Sequence, residues 1–383
     1  LFLRGARLTT SGQLLDPSAR SIVQSRANNT GIASVGTGSK FMVAWCNLSP
    51  GSSDVLLTPV LDGGSVGTPA STVASLGLDD QREYAIADCG TEYAVVWSQP
   101  LSGGSCIMGA RVSRTGELLS NTPVNITLNY PGSESQPAIA WNGTHYLLTW
   151  TADSGAGLDI KGCRLRTDLT SADPFPLSIC SATEDQSSPC VAACGASWIV
   201  VWEDWRNTMS PNYYNDLYGA IVSGTGSITP IGTAISLGAN NQKRPRAASS
   251  GSNYLVVWED YRAGYPKVTG TIVTTAGAVQ SPAGLAFPAT SYVQTAPAVC
   301  FGSGSYFVVW SDWYSITGCR VSTSGDIQDA SGIPISGGTV KACPGVCWDG
   351  VRFRVGGLPI LVQRQFRHLL HNGQPCRCGL ARS

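Results

Sequence analysis

Three short segments combine a carboxylate with an aromatic ring, a combination suited to ligand binding. The segments are Asp204-Trp205-Arg206, Asp260-Tyr261-Arg262 and Asp312-Trp313. An exposed ring can stack on a sugar while a carboxylate and a guanidinium bond the sugar hydroxyls. The sequence therefore predicts a ligand-binding surface at these residues. A structural alternative stays open, in which each aspartate caps a turn and pairs locally with the arginine.

Patterns for catalysis and metal binding are weak. Glycoside hydrolysis needs two carboxylates about 5 Å or about 6.5–9.5 Å apart, and no pair of acidic residues is singled out by its spacing. The sequence has neither a Gly-x-Ser-x-Gly elbow nor a phosphate loop, and His368 and His371 with Cys376 and Cys378 fit no standard metal site. We therefore expect no catalytic residues, no metal and no cofactor, in a protein that is not an enzyme. A polysaccharide-cleaving enzyme is the remote alternative.

Composition and charge exclude further classes. The 383 residues include 25 basic and 25 acidic side chains, whereas a nucleic-acid-binding domain normally presents a basic face. Hydrophobic residues make up 43% of the chain, which is enough to bury a core. Apolar runs fall far short of the roughly 20 residues that span a bilayer. We expect a folded protein without a nucleic-acid partner or a membrane span, and we interpret the start at Leu1, without a leader, as a processed or fragmentary chain.

The elements that position the three segments belong to a repeat. A short apolar run ends in tryptophan at Trp45, Trp97, Trp150, Trp202, Trp258 and Trp310. The spacing between these tryptophans is 52 to 56 residues, and a degraded seventh copy lies at 352–355. In most repeats a Gly-x-Arg-Val-like segment follows, with a second glycine seven residues after the first, as a tight hairpin needs.

Four short strands in a repeat of about 50 residues are typical of a β-propeller. Six complete repeats and one split repeat predict an all-β, seven-bladed β-propeller with four-stranded antiparallel blades over residues 1–356. Residues 1–16 are expected to supply the third and fourth strands of the last blade, and about 343–356 its first two. Pairing of N- and C-terminal strands would close the ring and remove exposed sheet edges. The repeated tryptophans are expected to pack between blades.

The repeat resembles the tandem β-propeller repeats of secreted and cell-surface proteins, which have a Tyr-Leu-Val-Val-Trp-x-Asp-x-Arg core and a following Ile-Tyr-Gly-x-Arg-Val segment. The similarity covers roughly residues 1–356 and is sharpest at 202–206 with 217–219, and at 258–262 with 268–270. It is eroded in the first three blades. The resemblance implies a propeller in an extracellular setting, and it implies no particular activity.

Cysteines and glycosylation sequons are consistent with that setting. The chain has 13 cysteines, from which we expect several disulfides, with buried single thiols as the alternative. The odd number leaves at least one cysteine for a partner, and Cys378 is the candidate. Sequons for N-glycosylation begin at Asn28, Asn47, Asn125 and Asn142. Of these, Asn28, Asn47 and Asn142 are expected in loops.

Residues 357–383 are interpreted as a separate basic tail containing arginine and cysteine. Residues 351–383 contain six arginines and no acidic residue, and 359–371 could form an amphipathic helix or an extra strand. A solvated extension and a docking arm for another subunit are both consistent with this pattern.

Our leading functional hypothesis is a structural or adhesive extracellular module within a larger cell-surface or filamentous assembly. Its partners would be proteins, with self-association through the tail. The alternative is a carbohydrate-binding lectin that uses the aromatic and acidic loops of blades four to six.

Overall fold

A computed structural model describes residues 2–17, 20–24, 28–37, 40–49, 52–60, 74–75, 83–120, 122–128, 130, 132–207, 214–288, 293–312, 315–336 and 343–357. These residues form 28 β-strands, and no helix occurs among them. Within the same ranges, nothing helical is long and apolar enough to cross a bilayer. The predicted tail beyond residue 357 lies outside the described residues.

Each blade is a four-stranded sheet. Blade one contains β3 (Asn28–Thr37), β4 (Lys40–Ser49), β5 (Ser52–Val60) and β6 (Ala74–Ser75). Blade two contains β7 (Tyr84–Asp88), β8 (Glu92–Leu101), β9 (Gly104–Ser113) and β10 (Val124–Asn125). Blade three contains β11 (Ser133–Trp141), β12 (Tyr146–Asp153), β13 (Leu158–Leu165) and β14 (Leu177–Cys180). Blade four contains β15 (Gln186–Cys194), β16 (Ser197–Asp204), β17 (Asp216–Val222) and β18 (Ile228–Pro230).

Blade five contains β19 (Gln242–Ser249), β20 (Asn253–Asp260), β21 (Lys267–Thr274) and β22 (Leu285–Ala286). Blade six contains β23 (Gln294–Gly302), β24 (Ser305–Asp312), β25 (Ser315–Val321) and β26 (Ile333–Ser336). Blade seven is built from both ends of the chain, with β27 (Gly345–Trp348), β28 (Phe353–Gly357), β1 (Phe2–Leu8) and β2 (Arg20–Gln24). The prediction of an all-β, seven-bladed propeller is confirmed.

The first strand of each blade lines the inside of the ring. It pairs with only one strand of its own sheet, and it contacts the first strands of the two neighbouring blades all the way around. First strands begin, and second strands end, at the same end of the ring, as the pairing of Gln242 with Asp260 shows in blade five. We call this the upper end. The segments singled out by the sequence therefore lie at the upper end.

The repeated tryptophans form the core between blades, as the sequence predicted. Trp150, Trp258 and Trp310 are at most 1% exposed, and each lies in an apolar cluster that contains residues of an adjacent blade. The alternation of a strand places successive side chains on opposite faces. A second strand of consecutive apolar residues therefore packs against the blade on either side.

The seam of blade seven joins the two ends of the chain. Strand β1 pairs antiparallel with β28, from Leu8 opposite Phe353 to Arg4 opposite Gly357. The fourth strand of this blade differs from the prediction, because it lies at Arg20–Gln24 and not within residues 1–16. After the turn at residues 9–13, the chain forms one isolated antiparallel bridge with β1, between Leu14 and Leu8. The outer strand begins only at Arg20.

Asp16 holds this connection by bonding two strands of the seam. Arg7 donates from Nε and Nη2 to the Asp16 carboxylate at 2.8 and 2.9 Å. Arg20 donates from Nε at 2.7 Å. These charge-assisted bonds, chiefly those from Arg7, lower the pKa of Asp16 from 3.8 to about 2.

The seam should therefore give a measurable pH dependence of stability. A depressed folded-state pKa means that the ionised Asp16 stabilises the fold above the unfolded pKa of about 3.9, and that this stabilisation is lost as the pH falls toward about 2. Between pH 4 and pH 2 the free energy of unfolding should fall more steeply for the wild type than for Asp16→Asn. Urea denaturation at stepped pH measures this slope, with the exposed Asp153→Asn as the control. Equal slopes for wild type and Asp16→Asn would contradict the assignment.

The turn between third and fourth strands needs a positive φ angle, as the glycine spacing indicated. Gly116 and Gly226 have φ of 93° and 89°, and in blade three Leu169 takes the same position with φ of 64°. Leu169 is 1% exposed. A leucine is tolerated here because burial of its side chain offsets the backbone strain.

Candidate functional site

The three aspartates that begin the predicted site each bind the tryptophan two residues before them. The indole Nε1 donates to the carboxylate at 2.8 Å in Trp202–Asp204, 3.3 Å in Trp258–Asp260 and 3.1 Å in Trp310–Asp312. All three aspartates are buried. A tryptophan in the core needs a partner for its N–H group, and the aspartate at the strand end supplies it.

Two of the aspartates also hold an arginine. Arg206 donates from Nε and Nη2 to Asp204 at 2.8 and 2.6 Å, and Arg262 donates from Nε to Asp260 at 2.9 Å with Nη2 2.7 Å from the other carboxylate oxygen. The Arg206 guanidinium also lies over the Tyr218 ring, 4.0 Å from its centroid. The hydrogen bonds to Asp204 raise the pKa of Arg206. Both guanidiniums are therefore fixed in position.

The arginines are the part of this arrangement that reaches solvent. The side chains of Arg206 and Arg262 are 28% and 40% exposed, whereas those of Asp204 and Asp260 are 0% and 5% exposed. The local pairing that the sequence left open as an alternative is thus present in blades four and five. The buried carboxylates face the protein, and contact with a ligand at this surface would come from the arginines and rings.

The aromatic residues of the same loops are half-buried. The backbone N–H group of Trp205 donates to the backbone carbonyl of Asp185, and that of Tyr261 donates to the backbone carbonyl of Asn241. The Tyr261 hydroxyl donates to Glu259 Oε2 at 3.0 Å, and burial raises the pKa of Tyr261. The structure therefore brings Trp205 beside Arg206 and Tyr261 beside Arg262, on adjacent blades.

Blade six departs from this pattern. Asp312 accepts hydrogen bonds from Thr317 and Ser315, at 2.5 and 3.3 Å. Tyr314 takes the place, two residues after the aspartate, that arginine has in blades four and five. Trp313 lies outside the described residues. The comparable surface is thus limited to blades four and five.

Sequence analysis missed a second set of polar contacts at the upper end. The first strand of several blades contains a β-bulge, with register shifts after Ser135, Ser187, Lys243 and Thr295. The residue in each bulge has a positive φ angle of 51° to 55°, at Gln136, Ser188, Arg244 and Ala296. Such a conformation turns the backbone N–H group out of the sheet ladder. The freed N–H group then needs an acceptor elsewhere.

A side chain of the preceding blade accepts each of these N–H groups. In blades five and six the acceptors are glutamates, with Arg244 N donating to Glu203 Oε1 at 2.8 Å and Ala296 N to Glu259 Oε1 at 2.6 Å. Glu203 and Glu259 follow the core tryptophan directly, and Thr151 occupies the same position for the bulge at Ser188, 3.2 Å away. The glutamate after Trp202 and Trp258 can be seen in the sequence. Its role as an acceptor could not be predicted, because the donor is a bulge N–H group of the next blade.

Glu259 is the most heavily used of these acceptors. It is 1% exposed, and besides Ala296 it accepts hydrogen bonds from Arg244 Nη1 at 3.0 Å and from Tyr261. Glu203 accepts a second bond from Asn215 Nδ2 at 2.8 Å, and burial raises its pKa. These carboxylates join one blade to the next.

A third unpredicted pattern is an arginine paired with an aspartate nine residues later. It occurs as Arg7–Asp16, Arg164–Asp173 and Arg320–Asp329, each with nitrogen-to-oxygen distances below 3 Å. The arginine is that of the Gly-x-Arg-Val segment, and the aspartate lies beyond the following turn. The pair ties the third strand to the connection after it. Its spacing was readable in the sequence in three blades.

The expected disulfides are not present among the described residues. None of the ten cysteines described there forms a disulfide. Burial raises the pKa of Cys163, Cys190 and Cys319, and buried thiols of this kind pack as small apolar groups. The side chains of Cys46, Cys376 and Cys378 are not among those that the structure describes.

Two of the three sequon asparagines that were expected in loops lie in strands. Asn28 and Asn47 lie in strands β3 and β4, and not in loops. Asn142 does lie in a hairpin turn, where its Nδ2 donates to the carbonyl of Ala196 at 2.8 Å. Asn125 is in β10, and the hydroxyl of Thr127 in the same sequon is buried and accepts the Ile107 N–H group. Thr127 therefore has a structural role of its own.

No family model matches this chain, and no curated protein matches it. Solved structures with a similar fold include a putative TolB from Agrobacterium tumefaciens, at 13% identity and TM-score 0.44, covering 94% of this chain and 99% of that one. An endo-arabinanase of glycoside hydrolase family 43 from Bacillus licheniformis has 13% identity and TM-score 0.40, covering 67% and 99%. The acylaminoacyl peptidase of Pyrococcus horikoshii has 10% identity and TM-score 0.49, covering 84% and 48%. At these identities the similarity concerns the fold alone.

The presence of glycoside hydrolases among these structures corrects one expectation. We expected from the sequence that the chain is not an enzyme, and this is contradicted by the family-43 hydrolases that share its kind of fold. The expectation rested on missing motifs, and one fold accommodates many chemistries whose residues follow no common local pattern.

Proposed function

We propose that this protein is an extracellular adhesive module that binds a protein partner through the upper surface of blades four and five. The observation that supports the proposal is the pair of arginines, Arg206 and Arg262, each held by a buried aspartate and still open to solvent. Trp205 and Tyr261 lie beside them. Arginine, tryptophan and tyrosine contribute most of the binding energy in many protein interfaces.

Rigidity adds to this argument. A side chain that is already fixed loses little conformational entropy on binding, which favours affinity. Arg206 and Arg262 are each anchored by two nitrogens on one carboxylate, and the loops stand on closed, packed blades. A protein partner is favoured over a glycan because the carboxylates that would accept sugar hydroxyl groups are buried.

The extracellular setting is supported by the resemblance of the repeat to those of secreted and cell-surface proteins. The partner that can be tested directly is a second copy of the chain. An assembly of identical modules would place the upper surface, or the basic tail, in contact with a neighbouring copy.

Light scattering across a range of protein concentrations tests the proposal. The wild type should show a mass above the 40.1 kDa of one chain, and Trp205→Ala with Arg262→Ala should weaken association by about tenfold or more. Arg166→Ala removes a charge from an exposed turn of blade three and should leave association unchanged. Repeating the series with reductant identifies cysteine-linked copies. A wild type that stays at the mass of one chain in both conditions would overturn self-association as the mode of assembly.

A further inference from the structure

The first strand of blade five brings three basic residues to the inner wall of the ring. Lys243, Arg244 and Arg246 lie on β19, which is the innermost strand of its blade and contacts the innermost strands on both sides. Arg246 is exposed although it lies in the middle of the strand. Exposure at this position of an innermost strand means that the side chain reaches the central channel.

Several other blades have small uncharged residues at these positions. The position of Lys243 is occupied by Ser135, Ser187 and Thr295 in blades three, four and six. The position of Arg246 is occupied by Ala33, Ala85, Ala138, Cys190, Ala298 and Gly345. At the level of Arg246, the innermost strands of the other blades therefore have small residues, and Arg246 is the one long cation at this position.

Only one of the three cations is neutralised. Arg244 forms an ion pair with Glu259 at 3.0 Å. Across the described ranges, neither Lys243 nor Arg246 takes part in an ion pair, and the Arg246 hydrogen bond that is found there runs from Nη1 to the carbonyl of Pro245 at 2.9 Å. The Nε–Nη2 edge of Arg246 is the edge that binds oxyanions in a bidentate manner.

The carboxylates toward the upper end accept hydrogen bonds from other groups of the protein. Glu203 and Glu259 accept the bulge N–H groups of the following blades. Glu83, next to the first strand of blade two, accepts the Gln136 N–H group at 2.6 Å. Glu134 of blade three is 2% exposed and accepts a hydrogen bond from Thr127. These groups are positioned by backbone and side-chain donors and do not reach Lys243 or Arg246 within ion-pair distance.

We propose that the central channel binds an oxyanion, a carboxylate, sulfate or phosphate group, through Arg246 and Lys243. The guanidinium binds the anion in the channel, and the ammonium group, three residues earlier on the same strand, adds charge on the side of the upper end. The small residues of the other blades leave space for the molecule that carries the anion. This site uses neither Arg206 nor Arg262, so it is independent of the proposed partner surface.

The repeat itself supplies the matched variants. Lys243→Ser and Arg246→Ala introduce residues that other blades have at the same positions, so the fold should tolerate them. Lys267→Ala removes one charge from the third strand of the same blade, outside the channel, and serves as the control.

Calorimetric titration at low ionic strength, with sulfate, inorganic phosphate and glucuronate as separate probes, tests the site. At least one probe should bind the wild type and the Lys267→Ala control equally. The same probe should bind the Lys243→Ser/Arg246→Ala variant about tenfold more weakly or worse, because a hydrogen bond to a charged group is lost. Preference for glucuronate would identify a carboxylate ligand, and preference for sulfate or phosphate a tetrahedral oxyanion. No binding of any probe to the wild type, or equal binding to the double variant, would overturn the proposal.

Discussion

Replacing Glu259 by alanine should lower the free energy of unfolding by about 2–4 kcal/mol, because it removes hydrogen bonds to a charged acceptor and leaves a buried donor without a partner. The carboxylate is 1% exposed and accepts hydrogen bonds from the Ala296 N–H group, Arg244 and Tyr261. Alanine leaves the N–H group at Ala296 buried without an acceptor, at the junction of blades five and six. Urea denaturation followed by tryptophan fluorescence measures the change.

Two companion variants separate the contributions to this effect. Glu259→Gln keeps an oxygen that can accept the Ala296 N–H group, and it should cost less than Glu259→Ala. Arg244→Ala removes the ion pair but leaves the bulge acceptor in place, and the Arg244 side chain is 38% exposed, so its cost should be about 1 kcal/mol or less. If Arg244→Ala were as damaging as Glu259→Ala, the ion pair and not the bulge would be the main contribution.

The second large effect is expected at the core tryptophan of blade four. Trp202→Ala should lower the free energy of unfolding by about 3–5 kcal/mol, because it leaves a cavity between blades. Trp202 is 3% exposed, and its Nε1 donates to Asp204 Oδ2 at 2.8 Å. The loss includes both apolar contacts and this hydrogen bond.

Trp150 in blade three is a natural control for the hydrogen bond. It is equally buried, but Ala152 stands where blades four to six have aspartate, and its Nε1 has no partner among the described residues. Trp202→Phe should therefore destabilise the protein by about 1.5–3 kcal/mol more than Trp150→Phe. Equal losses for the two phenylalanine variants would mean that the indole–aspartate bond does not stabilise the fold.

Much of the architecture could be predicted because each repeat has the same local requirements. The tryptophan recurs every 52 to 56 residues, and a strand with consecutive apolar side chains must be covered on both faces. The glycines of the turns needed positive φ angles, and those angles are present. The outer strand of blade seven was misplaced, because the segment after the turn makes a single bridge and the fourth strand begins only at Arg20. Asn28 and Asn47, expected in loops, lie in strands.

The candidate site was predicted less well, because its residues were identified by type and their burial depends on neighbours. Asp204 and Asp260 have the composition of ligand-binding residues, but each lies within hydrogen-bond distance of a core indole and is closed to solvent. Glu203 and Glu259 were not predicted as acceptors, because their donors belong to the next blade, about 40 residues away in the chain. The cysteines likewise indicated disulfides by number, whereas those described are not linked to one another.

The sequence by itself determined the number of blades, the order of strands and the pairing of the two chain ends, because periodic burial and turn chemistry are local properties repeated along the chain. Only the tertiary structure decided which polar groups face solvent, because that depends on contacts between residues far apart in sequence. The tertiary structure directs the predicted aspartates toward the core tryptophans and leaves Arg206 and Arg262 at the surface. It also leaves Arg246 exposed on an innermost strand. Buried charged groups need partners within the protein, whereas exposed ones can contact a partner or a ligand.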